Sequence, residues 1–192
     1  MLIEQLSNRL VIRENFDEDA SFLNKQTFEA GKLVEKNGYY EIKVITELFD
    51  KDKKSTDKYT TIYRCKPDDA NVMVVAFPFS NPKSKETEIS TTSKNFKELY
   101  DLDNLEDIEL EMSFDSGLLN FFGSKSSIKI YDRKLDGSKN SIKSKIIIKG
   151  YAWGFRIKQL NYVVYEKLNS KGLLTFQKFT EADGSYFTMT YK

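Results

Sequence analysis

Histidine is absent from this chain of 192 residues, and cysteine occurs once, at Cys65. The first absence excludes Ser-His-Asp and Cys-His catalysis, histidine-based zinc sites and the usual proton shuttle near neutral pH. The second excludes an internal disulfide and a thiolate zinc centre. Any catalysis would have to run on carboxylates, Lys, Tyr, Ser or a carboxylate-bound Mg²⁺ or Ca²⁺. Only three prolines and nine glycines occur, which argues against collagen-like or Pro-rich linker segments. No apolar run reaches the roughly 18 residues a membrane helix needs. The start, Met1-Leu2-Ile3-Glu4-Gln5-Leu6, has no basic region ahead of its apolar residues and does not read as a secretory signal. These features lead to the expectation of a cytoplasmic protein, or one built into a particle, with no bound cofactor or metal and no membrane span.

What the chain does have is aromatic residues at 14%, within a hydrophobic share of 40%. That is enough to fill a core. The dominant period is two. Tyr40, Ile42 and Val44 alternate with polar neighbours, as do Ile108, Leu110, Met112 and Phe114. So do Trp153, Phe155 and Ile157, and later Phe187, Met189 and Tyr191. Each run predicts a strand with one buried and one wet face, a pattern of antiparallel sheets. Asn37-Gly38, Asp136-Gly137, Lys171-Gly172 and Asp183-Gly184 supply turn signals. The expected fold is mainly β: an antiparallel β-sandwich or barrel of about ten strands with one or two short helices. The helices are expected over 94–101 and just after Asp17, the latter turning Phe22 and Leu23 inward. Residues 1–192 read as a single domain, with a weak division near 115–125.

Charge is sorted along the chain. From 98 to 115 every charged residue is acidic, including Asp101, Asp103, Glu106, Asp107, Glu109 and Glu111. From 125 to 158 nearly every one is basic, against Asp132 and Asp136 alone. The net charge is only +1, so the asymmetry is internal. A dipolar surface orients a protein toward a partner or a second copy of itself.

Several motifs come close to a chemistry and miss. Gly123-Ser124-Lys125-Ser126 echoes a phosphate loop, but the spacing from Gly117 is wrong and Leu118, Leu119, Phe121 and Phe122 are bulky where backbone amides must face phosphate. Those four side chains suit a docking element, or a plug for one end of the fold. Asp101, Asp103 and Asn104 start like a calcium loop, but Leu105 takes a ligand position and the glycine is missing. Glu109 and Glu111 share one strand face, as a glycosidase pair could in a cleft, though an exposed face explains them as well. Cys65 lies between Arg64 and Lys66 but alternates with Tyr63 and Thr61, as a core filler does. Tyr131, Tyr151, Trp153, Phe155 and Tyr162 interleave with the basic stretch, yet Trp153 and Phe155 fall on the face opposite Arg156 and Lys158.

The leading expectation is a non-enzymatic interaction or assembly protein: a subunit of a larger particle, an inhibitor or an accessory factor. It would dock a protein partner, or another copy of itself, through separate acidic and basic surfaces. The docking residues would be Glu109, Glu111, Leu118, Leu119, Phe121, Phe122, Lys143, Lys145, Arg156 and Lys158. One alternative is a barrel or sandwich holding a small ligand near Tyr151 and Trp153. Another is binding of a nucleic-acid backbone by the basic stretch 125–158.

Overall fold

Val, Ile, Thr, Tyr and Phe at alternate positions favour extended chain, because branched and aromatic side chains pack well on a pleated, half-buried surface. The computed structural model describes residues 6–67, 86–91, 100, 102–115, 125–137, 140–152 and 155–192. They form twelve strands: β1 (Leu10–Phe16), β2 (Phe22–Ala30), β3 (Val34–Lys36), β4 (Tyr39–Phe49), β5 (Ser55–Cys65), β6 (Glu86–Thr91), β7 (Ile108–Asp115), β8 (Lys125–Leu135), β9 (Ser141–Ala152), β10 (Phe155–Leu168), β11 (Leu174–Thr180) and β12 (Tyr186–Tyr191).

The strands run in one sheet from β2 through β1 and β12, then down in order to β4 and β3. A further pairing joins β2 to β4, from Lys25 opposite Phe49 to Ala30 opposite Val44. It closes the sheet into a ring. β3 lies beyond β2 on the same edge of β4, with Val34 opposite Glu41, so β2 and β3 are one line of chain interrupted near Gly31. Every pairing is antiparallel except β5 with β6, which is parallel over Ile62–Cys65. Mainly-β architecture was expected. Closure makes it a barrel.

Alternation assigns the faces. Val11, Phe28, Ile42, Val44, Tyr63, Cys65, Leu110, Ile128, Ile130, Ile148, Val164, Phe179, Phe187 and Met189 point inward and are buried. Each such aliphatic or aromatic side chain contributes about 1.5–3 kcal/mol. Phe179 stacks on Phe187 at 4.5 Å, and Tyr162 meets both edge-on at 5.8 and 5.7 Å. Outward positions carry Lys43, Lys58, Glu109, Lys129, Lys143 and Lys145, all exposed. That is the reverse of the apolar-out pattern of membrane-crossing barrels. No helix among the described residues is long and apolar enough to cross a membrane.

The two ends differ. Where β1 starts and β12 stops, Leu6 is buried, and Leu33, Tyr100, Leu102 and Leu105 pack against the core. At the opposite end the inward residues Arg13, Asn15, Asn24 and Gln26 are half-buried.

Four loops share one design. The amides of Asp17, Asp50, Asn169 and Glu181 donate to the carbonyls of Ser21, Lys54, Leu173 and Ser185 at 3.1, 3.0, 2.8 and 2.9 Å. The amides of Ala20, Lys53, Gly172 and Gly184 donate back to those first residues at 3.1, 3.0, 3.0 and 3.2 Å. These fourth residues have φ of 62°, 61°, 73° and 96°. This is the three-residue hairpin loop, a type I turn followed by a left-handed residue. Asp17, Asp50 and Asn169 each add a side-chain oxygen that accepts amides two and four residues on.

Two expectations change. The segment after Asp17 is one of these loops and not a helix; Phe22 begins β2, and Leu23 is 46% exposed. The helix expected over 94–101 lies outside the described residues apart from Tyr100, which is in a turn. The strand phase near Arg156 also differs. A bulge between Arg156 and Lys158 turns Ile157 outward, to 52% exposure, whereas simple alternation placed it inside. Lys158, expected outside, is half-buried.

Ala20 and Lys53 hold a conformation that costs a residue with a Cβ about 1–2 kcal/mol. Glycine removes that cost and adds about 0.4–1 kcal/mol of chain entropy to the unfolded state. Ala20→Gly and Lys53→Gly should each stabilise the fold by about 0.5–1 kcal/mol, read as a higher urea midpoint at unchanged slope. Gly184→Ala should lower it. Midpoints at or below that of the parent in both glycine variants would remove the strain argument.

Candidate functional site

Strand order decides where the sorted charges go. β7 and β8 are consecutive and pair directly, placing Glu109 opposite Lys129 and Glu111 opposite Ser127. β8 then pairs with β9 and β9 with β10. The acidic and basic runs are therefore neighbouring ribbons. This corrects the expectation of two separate patches. Charge blocks adjacent in sequence fall on adjacent strands of a meander, since sequential strands usually pair. Glu109 and Glu111 are exposed on the outer face of β7, beside the basic region and not remote from it.

Past that boundary the outer face is basic. Lys129 is exposed on β8, and Lys143 and Lys145 on β9, with Lys149 half-buried. Tyrosines lie among them. Tyr131 is opposite Lys145, and Lys145 is opposite Val163, as Lys143 is opposite Tyr165. The ammonium groups of Lys129 and Lys145 each sit 5.9 Å from the Tyr131 ring centroid, and that of Lys167 sits 5.6 Å from Tyr165. These distances are within the range of cation–ring attraction. The rings hold the long side chains in place without neutralising them.

One acidic side chain lies inside this region. Asp132 has φ of 54° at a bulge between Tyr131 and Lys134. Its carboxylate is 3.0 Å from Lys145 and 3.7 Å from Lys134. Hydrogen bonding to Lys145, with the charges of Lys134 and Lys145, holds its pKa below the usual carboxylate value. The bond to Asp132 raises that of Lys145. Asp132 relieves repulsion where Lys134 and Lys143 face each other across the strands.

The same bulge turns Arg133 inward, leaving it 8% exposed. Its Nη1 donates to the Glu106 carbonyl at 3.0 Å, and the Asp132 amide donates to Asp107 Oδ1 at 3.1 Å. Nearby, Glu166 is buried inside the barrel. Its Oε1 accepts from Tyr100 at 2.8 Å and from Gln177 at 2.7 Å. Tyr191 donates to Gln177 Oε1 at 2.5 Å. Desolvation raises the Glu166 pKa, and the bonds from Gln177 and Tyr100 and the charge of Arg133 oppose that. Sequence reasoning missed this network. Glu166 sits in a strand pattern where a lone acid looks like a surface residue.

Of the other expected site residues, Arg156 is exposed and donates to Gln159 Oε1 at 2.9 Å, and Tyr151 is half-buried opposite Arg156. Leu118, Leu119, Phe121, Phe122 and Trp153 lie outside the described residues. So does Asp101 of the calcium-like stretch. Among the described residues no group of three or more acidic or cysteine side chains is placed to hold a metal ion. Cys65 is fully buried in the core.

No protein-family model matches the chain, and no curated protein matches it. Solved structures of similar shape include a "putative lipoprotein" from Parabacteroides distasonis, with a TM-score of 0.48 at 10% identity over 97% of this chain and 94% of that one. Another is a "putative exported protein with YmcC-like fold" from Bacteroides fragilis, with a TM-score of 0.45 at 12% identity over 96% and 94%. The first is described as a lipoprotein and the second as exported. Set against them, the cytoplasmic placement expected from the sequence is withdrawn.

Glu166 gives a pH signature. Its folded pKa lies above its unfolded one, so the folded state binds the extra proton between the two values. Stability should therefore fall as pH rises from about 4.3 through the folded pKa. Glu166→Gln keeps an oxygen to accept from Tyr100 and Gln177 but cannot ionise. Its unfolding free energy, measured by denaturant titration from acid to neutral pH, should lack that decline. Parallel profiles for parent and variant would show that Glu166 does not titrate in this window.

Proposed function

We propose that this protein is a non-enzymatic interaction module that docks an acidic protein surface through the outer face of β8, β9 and β10. The observation that carries this reading is the arrangement of Lys129, Lys143 and Lys145, all exposed, on one outer face with Tyr131 and Tyr165 among them. Lysines held against rings give an acidic partner fixed positions to meet, and tyrosine adds contact area at low entropic cost. The neighbouring acids Glu109 and Glu111 border the patch and would repel a partner that slid across it. Head-to-tail pairing through two remote patches has no support in this strand order, so a distinct partner is the better reading.

A photo-crosslinking residue at position 131, and in a second protein at position 29 on β2, tests this in extracts of the native source. Position 131 should give one discrete adduct with an acidic protein, weakening with salt and falling about tenfold in Lys143→Glu/Lys145→Glu. No adduct, the same adduct from both positions, or an adduct with nucleic acid instead would refute the proposal.

A further inference from the structure

Four inward positions on β1 and β2 form a polar grouping on the inner wall, separate from the one around Glu166. Arg13 is opposite Gln26, and Asn15 is opposite Asn24. All four are half-buried, at the barrel end away from Leu6 and Tyr100. The ladder is anchored: Arg13 Nε donates to Asn15 Oδ1 at 3.0 Å, and Asn15 Nδ2 donates to Asn24 Oδ1 at 2.6 Å. The Arg13 guanidinium lies 3.9 Å from the centroid of the Phe187 ring. Burial lowers its pKa to about 10, with Tyr162 and Glu181 opposing, so it stays charged at neutral pH.

One strand further round, Thr46 on β4 faces inward opposite Phe28 and diagonal to Gln26. It is fully buried, and its hydroxyl has no hydrogen-bond partner. A buried hydroxyl left unpaired is costly, and here it continues a row of amides that reaches the barrel end.

The chemistry of the row selects its ligand. Carboxamides offer donor and acceptor together, which matches hydroxyl groups that do the same. An anion would meet the charge of Glu181 as well as that of Arg13. An apolar molecule would strip water from the amides and return no hydrogen bonds. We infer that Arg13, Asn15, Asn24, Gln26 and Thr46 form an inner-wall site for a neutral saccharide, separate from the basic outer face.

Side-chain amide signals of Asn24 and Gln26 report binding directly. Titration with D-glucose, D-galactose and D-mannose should shift them saturably in the millimolar range for at least one sugar. Gln26→Ala should weaken that binding about tenfold. Thr46→Val should weaken it about fivefold without lowering the urea midpoint, since it removes an unpaired hydroxyl. Lys143→Glu/Lys145→Glu should bind as the parent does. Absence of saturation with all three sugars, equal affinity in Gln26→Ala, or saturation by D-glucuronate alone would overturn the assignment.

Discussion

The pairing of β2 with β4 is the constraint on which the rest depends. Without it the strands would form an open sheet with two unpaired edges and no distinction between inside and outside. With it, alternate residues face an enclosed core or solvent, and a one-residue slip would exchange them. The pairing works because the chain leaves β2 early and resumes beside the same partner as β3. Gly31 sits at that break. Its amide donates to the Lys43 carbonyl at 2.8 Å, and a Cβ there would come within 3.2 Å of the same oxygen. The close approach explains why the smallest residue occupies the break.

Much of the fold was legible because burial and wetness alternate through the middle of β4, the second half of β5, the start of β7 and all of β12. Tyr63 and Cys65 inside, and Glu109 and Glu111 outside, follow from period two alone. The failures have specific causes. The segment just after Asp17, with Phe22 and Leu23 at the start of β2, was read as a short helix because Ala20 stands where glycine usually marks a hairpin loop, so the turn left no sign. The inward polar residues of β2, Asn24 and Gln26, also hid the strand period. Ile157 and Lys158 were assigned to the wrong faces because a bulge shifts the phase by one residue, and nothing in their side chains announces it. The Glu166 network depends on Tyr100 and Gln177 coming together from remote parts of the chain, which no local pattern records.

The charge pattern was legible as a sequence and misread as a surface. Sorting by sign along the chain suggested distance between the two signs. A meander converts neighbours in sequence into neighbours in space, so the sorted runs share a border at β7 and β8. What remains distinctive is the positive side of that border, where rings of Tyr131 and Tyr165 hold lysines in place and Asp132 offsets the closest repulsion. The outer wall is thus organised by electrostatics, while the inner wall combines an aromatic cluster with two polar groupings, one at each end. The grouping around Glu166 is closed on itself, and that around Arg13 reaches the barrel end.

The seam between β5 and β6 differs from every other. It is the parallel one, and among the described residues its register holds four residue pairs, Ile62 to Cys65 against Glu86 to Ile89. Parallel pairs are slightly weaker per residue, and no tight hairpin can bring their strands together. The seam between β6 and β7 is as short but antiparallel, and the remaining joints are longer or are tied by short loops. Thermal breathing of the wall should therefore concentrate at this joint, and a cylinder that unzips along one line becomes, for that moment, a sheet with two sticky margins.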